Sequence, residues 1–223
     1  MYIIIFCSSS YGNLKNLSLE ITYTSRYIWR GFDLLQNNHS AVQPSFTYKF
    51  VGSGLWINFW SSFGITQRTT TKTADELDYI IGYDIPYCKE LIDFSTGLTY
   101  YTYPNLPGEN TSPEIFANLL FSKMAFSPLF IAYYDMNLGN GLYMMGSISK
   151  SMDSLPLAFR LSMGFNIHQY IEDTGFSDIV FSCSYNDIKI RNALISVVLN
   201  YAFIPMDKVN NENEIWVSVG YKF

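Results

Sequence analysis

The sequence predicts an all-β fold: a closed antiparallel transmembrane β-barrel of about twelve strands, with short periplasmic turns and longer external loops. Three observations predict it. Apolar and polar side chains alternate along most of the chain, connections follow a short-long rhythm, and the last alternating segment runs to a terminal Phe223. Alternation is the informative pattern because successive side chains of a strand point to opposite faces. In a membrane barrel one face meets lipid and the other the lumen.

In chain order the strands are expected at residues 17–30, 41–51, 54–65, 76–84, 90–103, 113–124, 128–136, 141–150, 155–168, 177–186, 191–203 and 214–223. Each is near the ~9–11 residues that cross a bilayer at a tilt. The first sets Leu17, Leu19, Ile21, Tyr23, Tyr27 and Trp29 against Ser18, Glu20, Thr22, Thr24, Arg26 and Arg30. The ninth sets Leu155, Leu157, Phe159, Leu161, Met163, Phe165 and Ile167 against Ala158, Arg160, Ser162, Gly164, Asn166 and His168. The last sets Ile215, Val217, Val219, Tyr221 and Phe223 against Trp216, Ser218, Gly220 and Lys222. The sixth, seventh and eighth alternate least cleanly.

Short turns are expected at residues 51–54, 85–89, 125–128, 151–155 and 187–190, after every second strand. Between them lie polar links at 31–40, 66–75, 104–112, 137–141, 169–177 and 204–213, all but 137–141 longer than the turns. An even strand number then puts both chain ends on the periplasmic side of a bacterial outer membrane.

Two units are expected along the chain: residues 1–16, a remnant of an export signal or an N-terminal arm, and residues 17–223, the barrel. The first begins with an apolar run from Tyr2 to Cys7 and continues with Ser8, Ser9 and Ser10, but lacks the basic start of a secretory signal. Phe6 before Cys7 argues against a lipoprotein site.

Composition narrows the function. Net charge is −5 and Lys and Arg form no run, so nucleic acid is not an expected partner. Cys7, Cys88 and Cys183 are widely separated without CxxC spacing, which predicts neither a disulfide framework nor a zinc site. No apolar run is long enough for a membrane-spanning helix.

A soluble sandwich or lipocalin-like barrel would also alternate. The polar face argues for a membrane barrel: Glu20, Arg26, Arg30, Lys49, Glu76, Asp78, Asp84, Asp93, Glu114, Asp135, Arg160, Asp178 and Lys222 all fall on it. A lumen of about twelve strands is wide enough to hold water beside such groups. These residues are the expected pore lining; their eight acids and five bases predict a slight cation preference. Tyr27, Trp29, Phe32, Tyr101, Tyr103, Tyr201, Phe203, Tyr221 and Phe223 are expected to form two interfacial girdles.

The run Ser25, Arg26, Tyr27, Ile28, Trp29, Arg30, Gly31, Phe32 resembles the opening motif of the TorF-like putative porin family, small outer-membrane barrels. Further matches are Ala41 to Ser45, Leu55 to Ser62, Glu76 to Tyr79 with Gly82 and Tyr83, and Tyr133 to Asp135. The resemblance implies a porin-like outer-membrane protein and carries over no catalytic or binding set. The ending from Trp216 to Phe223 resembles the C-terminal signal, here Tyr221 and Phe223, that the barrel assembly machinery recognises.

The expected function is a narrow passive channel for small hydrophilic solutes or ions, with no cofactor or metal. Membrane lipid and lipopolysaccharide are its expected surroundings, and the lipid face leaves room for a homo-oligomer. The alternatives are a barrel enzyme acting on lipid and an occluded structural or adhesive barrel. For catalysis, only His39 and His168 are available as bases, and sequence fixes no nucleophile beside either. Glu172, Asp173, Asp178, Asp207, Glu212 and Glu214 make the outer links acidic, without the spacing of a calcium loop.

Overall fold

A computed structural model describes residues 16–37, 39–85, 92–152, 154–190 and 193–223. The expected N-terminal remnant apart from Asn16, together with Cys7, Cys88 and most of the turn expected at 85–89, lies outside the described residues.

Alternation without an interior partner forces the sheet to close. In chain order the strands are β1 (Leu17–Thr24), β2 (Ile28–Trp29), β3 (Phe32–Asp33), β4 (Ala41–Lys49), β5 (Leu55–Gly64), β6 (Glu76–Ile85) and β7 (Asp93–Thr102). They continue with β8 (Thr111–Leu120), β9 (Leu129–Asp135), β10 (Gly141–Ser151), β11 (Leu157–Ile167), β12 (Thr174–Ile190), β13 (Ala193–Phe203) and β14 (Glu214–Lys222). All except β2 and β3 make one closed antiparallel barrel, in which β1 pairs with β4 on one side and β14 on the other. The seam runs from Glu20 opposite Lys222 to Thr24 opposite Ser218. No edge is left to present unpaired N–H and C=O groups to lipid.

The outward face is apolar around the circumference. Ile21, Phe59, Ile81, Ile115, Phe130, Leu161, Phe181, Leu199, Tyr201 and Ile215, from nine different strands, are all large exposed side chains. Such a continuous apolar belt is unfavourable in water and suits a bilayer. No described helix is long and apolar enough to cross a membrane; the chain crosses with strands.

Three differences from the sequence expectation matter. First, the strand expected over 17–30 stops at Thr24, and the chain then turns into the barrel. The cause is a two-residue turn: Ile28 pairs with Asp33 and Trp29 with Phe32, leaving Arg30 and Gly31 at φ 52° and 88°. Positive φ at both positions is the backbone twist that a tight hairpin requires. Gly31 is also closely covered, since a Cβ there would lie 2.8 Å from Val209 Cγ1.

Second, β12 runs through the turn expected at 187–190, with Ile190 paired to Ala193. Two irregularities allow its length. The register slips between Tyr185 and Ile188 on one side, and opposite Gly164 and Phe165 on the other. At the second slip Gly164 faces Asp178 but Phe165 faces Phe176, so Ser177 is the extra residue of a bulge. Ser177 and Asp178 are consequently both fully buried.

Third, the link expected over 66–75 holds a short helix, α1 (Arg68–Thr71), and a 3-10 turn at Lys72–Ala74. Arg68 closes it with two 2.6 Å hydrogen bonds to Asp75, and Asn105 Nδ2 donates to the same carboxylate at 2.8 Å.

Candidate functional site

The candidate site is the barrel interior at the rim that carries the long connections. Alternation carries Glu76, Asp78, Glu114 and Asp135 inward at this level, and the β12 bulge adds Asp178; each is at most 2% exposed. The hairpin β2–β3 brings Arg30 into the same layer. Its guanidinium donates through Nη1 to Glu114 Oε2 at 2.6 Å and through Nη2 to Glu114 Oε1 at 2.8 Å. Nη1 also donates to Gln169 Oε1 at 2.7 Å. The Cζ atom sits 4.2 Å from the Trp29 ring centre, 4.1 Å from that of Tyr133 and 4.9 Å from that of Tyr143.

This is a fork-on-fork ion pair in an aromatic cage, geometry that a guanidinium satisfies and an ammonium does not. Glu114 is completed by Tyr101 Oη at 2.7 Å and Gln169 Nε2 at 3.1 Å. Arg30 thereby ties the hairpin to β8, β9, β10 and the link after β11.

The neighbouring acids are held separately. Tyr27 Oη donates to Glu76 at 2.7 Å, and Tyr143 Oη and Ser177 Oγ donate to Asp178 at 3.0 and 2.7 Å. Asp135 accepts from Ser112 Oγ at 2.6 Å, from the backbone N–H groups of Asn137 and Gly139 at 2.9 Å, and from Tyr170 Oη at 2.9 Å. Burial, and then the Asp135 carboxylate beside it, pushes the Tyr170 phenol well above its usual value, so it remains a donor. Arg26 pairs with Glu214, which is buried on the interior face of β14.

Toward the other rim the interior charges are wetter. Lys49 and Asp84 face each other at 3.7 Å with side chains 58% and 36% exposed, and Asp93 accepts from Ser122 Oγ at 2.7 Å. Glu20, Arg160 and Lys222 occupy inward register positions here and are partly buried.

The interior is not lined by polar side chains alone. Trp56, Ile80, Phe116, Ile131, Tyr133, Tyr143 and Met145 form one buried apolar cluster along β5–β10. Space for it comes from two glycines opposite each other, Gly82 and Gly97, since a Cβ on either would collide with the ring of Trp56 or Phe116. The opposite wall is divided: toward the long connections Val180, Ala202 and Trp216 pack with Ile28 of the hairpin, and nearer the short turns it is small and mostly polar. Thr22, Gly220 and Ser196 follow one another across β1, β14 and β13, and Thr24, Ser218, Val198 and Ser184 make the next tier.

Five of the nine expected girdle residues are also not in a girdle. Tyr27, Trp29 and Tyr101 are buried inside, and Phe32 and Tyr103 pack against them. Tyr201, Phe203 and Phe223 do stand on the exposed face, 45%, 45% and 58% accessible.

His168, expected on the lumen face, lies beyond β11 with φ 58°; its ring meets Glu172 O at 2.7 Å and Thr174 Oγ1 at 3.3 Å. His39 Nδ1 meets Thr66 Oγ1 at 3.0 Å. Of the acids expected in the outer links, Asp178 and Glu214 are interior, and Asp173 pairs with Lys208 at 3.0 Å. No group of three metal-ligating side chains comes together among the described residues.

A closed antiparallel barrel with an apolar belt and a charged, partly filled interior defines an outer-membrane-porin type of fold. The chain belongs to the bacterial family Gcw_chp, described as proteins of unknown function, whose sequence profile matches residues 13–190. No curated protein matches it. Among solved structures it is similar to the KdgM porin, with a TM-score of 0.61 at 9% identity, covering 92% of this chain and 98% of that one. The same porin in complex with disordered oligogalacturonate aligns equally well. The NanC porin aligns with a TM-score of 0.57 at 12% identity, over 93% of this chain and 98% of that one. At these identities the likeness is one of fold.

Proposed function

We propose that the chain forms a narrow passive channel across a bacterial outer membrane, for small hydrophilic solutes or ions, with the β2–β3 hairpin as its constriction. The observation that carries this reading is the division of the interior. Aromatic and aliphatic side chains fill the β5–β10 side, whereas the short-turn half of β13, β14 and β1 carries hydroxyl and glycine positions that supply a polar track beside them. Water beside hydroxyls keeps its hydrogen bonds, so such a track is a low-cost path for a hydrated solute.

On this reading Glu20, Lys49, Asp84, Asp93, Arg160 and Lys222 line the wide part of the pore. Arg26, Arg30, Glu76, Asp78, Glu114, Asp135 and Asp178 shape the constriction. The rim of short turns, which holds both ends of the barrel sheet, is the periplasmic one. Tyr221 and Phe223 form the segment offered to the assembly machinery. The likeness of Ser25 to Phe32 to the TorF-like porin motif supports the same class. KdgM binds an acidic saccharide; the excess of acids at this constriction favours neutral or cationic solutes instead.

Liposomes carrying the refolded protein are expected to swell in small neutral sugars. Ser218→Trp, which puts an indole into the track beside Thr24, is expected to slow swelling severalfold while the barrel still folds. Swelling no faster than in protein-free liposomes, with a folded barrel, selects the second reading, an occluded structural barrel. The two apolar clusters that pack the long-connection half, and the third that runs from β5 to β10 as far as Trp56 near the short turns, favour that alternative.

A further inference from the structure

We infer that the paired carboxylates of Asp78 and Glu76 hold a monovalent cation inside the barrel. Asp78 is 1% exposed, and it is the one carboxylate among the described residues whose buried oxygens meet no N–H or hydroxyl donor; the group it touches is the Glu76 carboxyl. Every other acid of this layer has donors: Tyr27 serves Glu76, Arg30 and Tyr101 serve Glu114, and Ser112 and Tyr170 serve Asp135. A carboxylate left without donors in a buried site is strongly disfavoured unless a counter-charge joins it.

The described groups facing Asp78 cannot supply that charge. Glu76, two residues earlier on the same face of β6, and Glu114 are its acidic neighbours, and Tyr27 and Tyr101 are neutral donors already engaged. Arg30 is the one guanidinium bonded in this cluster, and its Nη1 and Nη2 are committed to Glu114 and Gln169. Among the described residues, three carboxylates therefore face one cation.

The missing partner is a small positive ion that accepts a few oxygen ligands. A calcium-like ion is a poor fit, because it takes six to eight oxygens and no third carboxylate is free to turn toward the pair. A potassium-sized ion holds its oxygens loosely and completes its shell with lumen water beyond Asp78 and Glu76, and the ammonium of a small solute needs only acceptors, which the two carboxylates supply. The inference deepens the channel reading, on which it rests for the ion's access and for selectivity; occupancy itself needs only a folded barrel.

The test uses crystals of the refolded full chain soaked in a thallium(I) salt, with reversal potentials measured on the same preparations in planar bilayers. Anomalous density is expected between Asp78 and Glu76, absent in Asp78→Asn and retained in Asp207→Asn, a change in an exposed outer link. The cation-over-anion permeability ratio is expected to fall severalfold in Asp78→Asn. Thallium density without any conductance would reject the channel and leave the site standing. Conductance without thallium density overturns the site. So does an infrared carboxylic-acid band that Asp78→Asn abolishes in the absence of a thallium peak, because a shared proton then fills the place of the ion.

Discussion

Replacing Glu114 by alanine is expected to lower barrel stability by about 3–5 kcal/mol, the usual cost of removing one partner of a buried ion pair. The loss is large because the guanidinium that remains cannot reach water. Arg30 would keep Gln169 as its acceptor, yet its charge would lie against three aromatic rings with no carboxylate hydrogen-bonded to it. Tyr101 would lose its acceptor as well. Urea unfolding in detergent micelles or lipid vesicles measures the change. The double variant Arg30→Met with Glu114→Leu is expected to regain most of it, since neither charge is then stranded. Conductance separates the hairpin's role from stability. Loss of the clamp frees the hairpin from β8, so channels of Glu114→Ala are expected to be larger and noisier than wild type.

Trp56→Ala is expected to cost a similar amount, about 3–5 kcal/mol, by analogy with large aromatic truncations in protein cores. Trp56 is buried, its ring covers Gly82 and stands 6.1 Å from Phe116, and its Nε1–H donates to Asp84 at 3.0 Å. Truncation removes all of these contacts at once and leaves a void that glycine neighbours cannot fill. Phe59, three residues later, points outward and is 45% exposed. Its removal is expected to cost much less, because lipid tails occupy the space. Equal losses at Trp56 and Phe59 would contradict the filled interior and place both rings in lipid.

The contrast between these two aromatics also shows where sequence reasoning stops. Alternation located the strands because a period of two is a property of the backbone, and closure followed from the absence of any edge-covering element. Face assignment is another matter in a chain with aromatics on both sides. Along Leu55 to Ser62, Trp56 and Trp60 point in while Phe59 points out, and composition does not distinguish them. Tyr100 is exposed and Tyr101 buried, so choosing the odd-numbered tyrosines of that strand for a girdle inverted the face.

The hairpin was hidden for a related reason. Arg26 and Arg30 still alternate with Tyr27 and Trp29, and only Ile28 breaks the pattern, so a strand leaving the wall looks much like one that stays. The available signal was Arg30–Gly31 between Trp29 and Phe32, a two-residue turn flanked by aromatics that can pair across it. Burial of Asp178 depended on the bulge at Ser177, which a strict period of two cannot represent. The interior acids on regular strands, Glu76, Asp78, Glu114 and Asp135, were legible individually. Their assembly around Arg30 was not, because it joins residues far apart along the chain.

The most direct test of the channel is single-channel recording from the refolded wild-type protein in planar bilayers. Small, ohmic, long-lived steps that Ser218→Trp diminishes and Glu114→Ala enlarges are the predicted result. A barrel that is folded and inserted but passes no current, in wild type and in both variants, would contradict it.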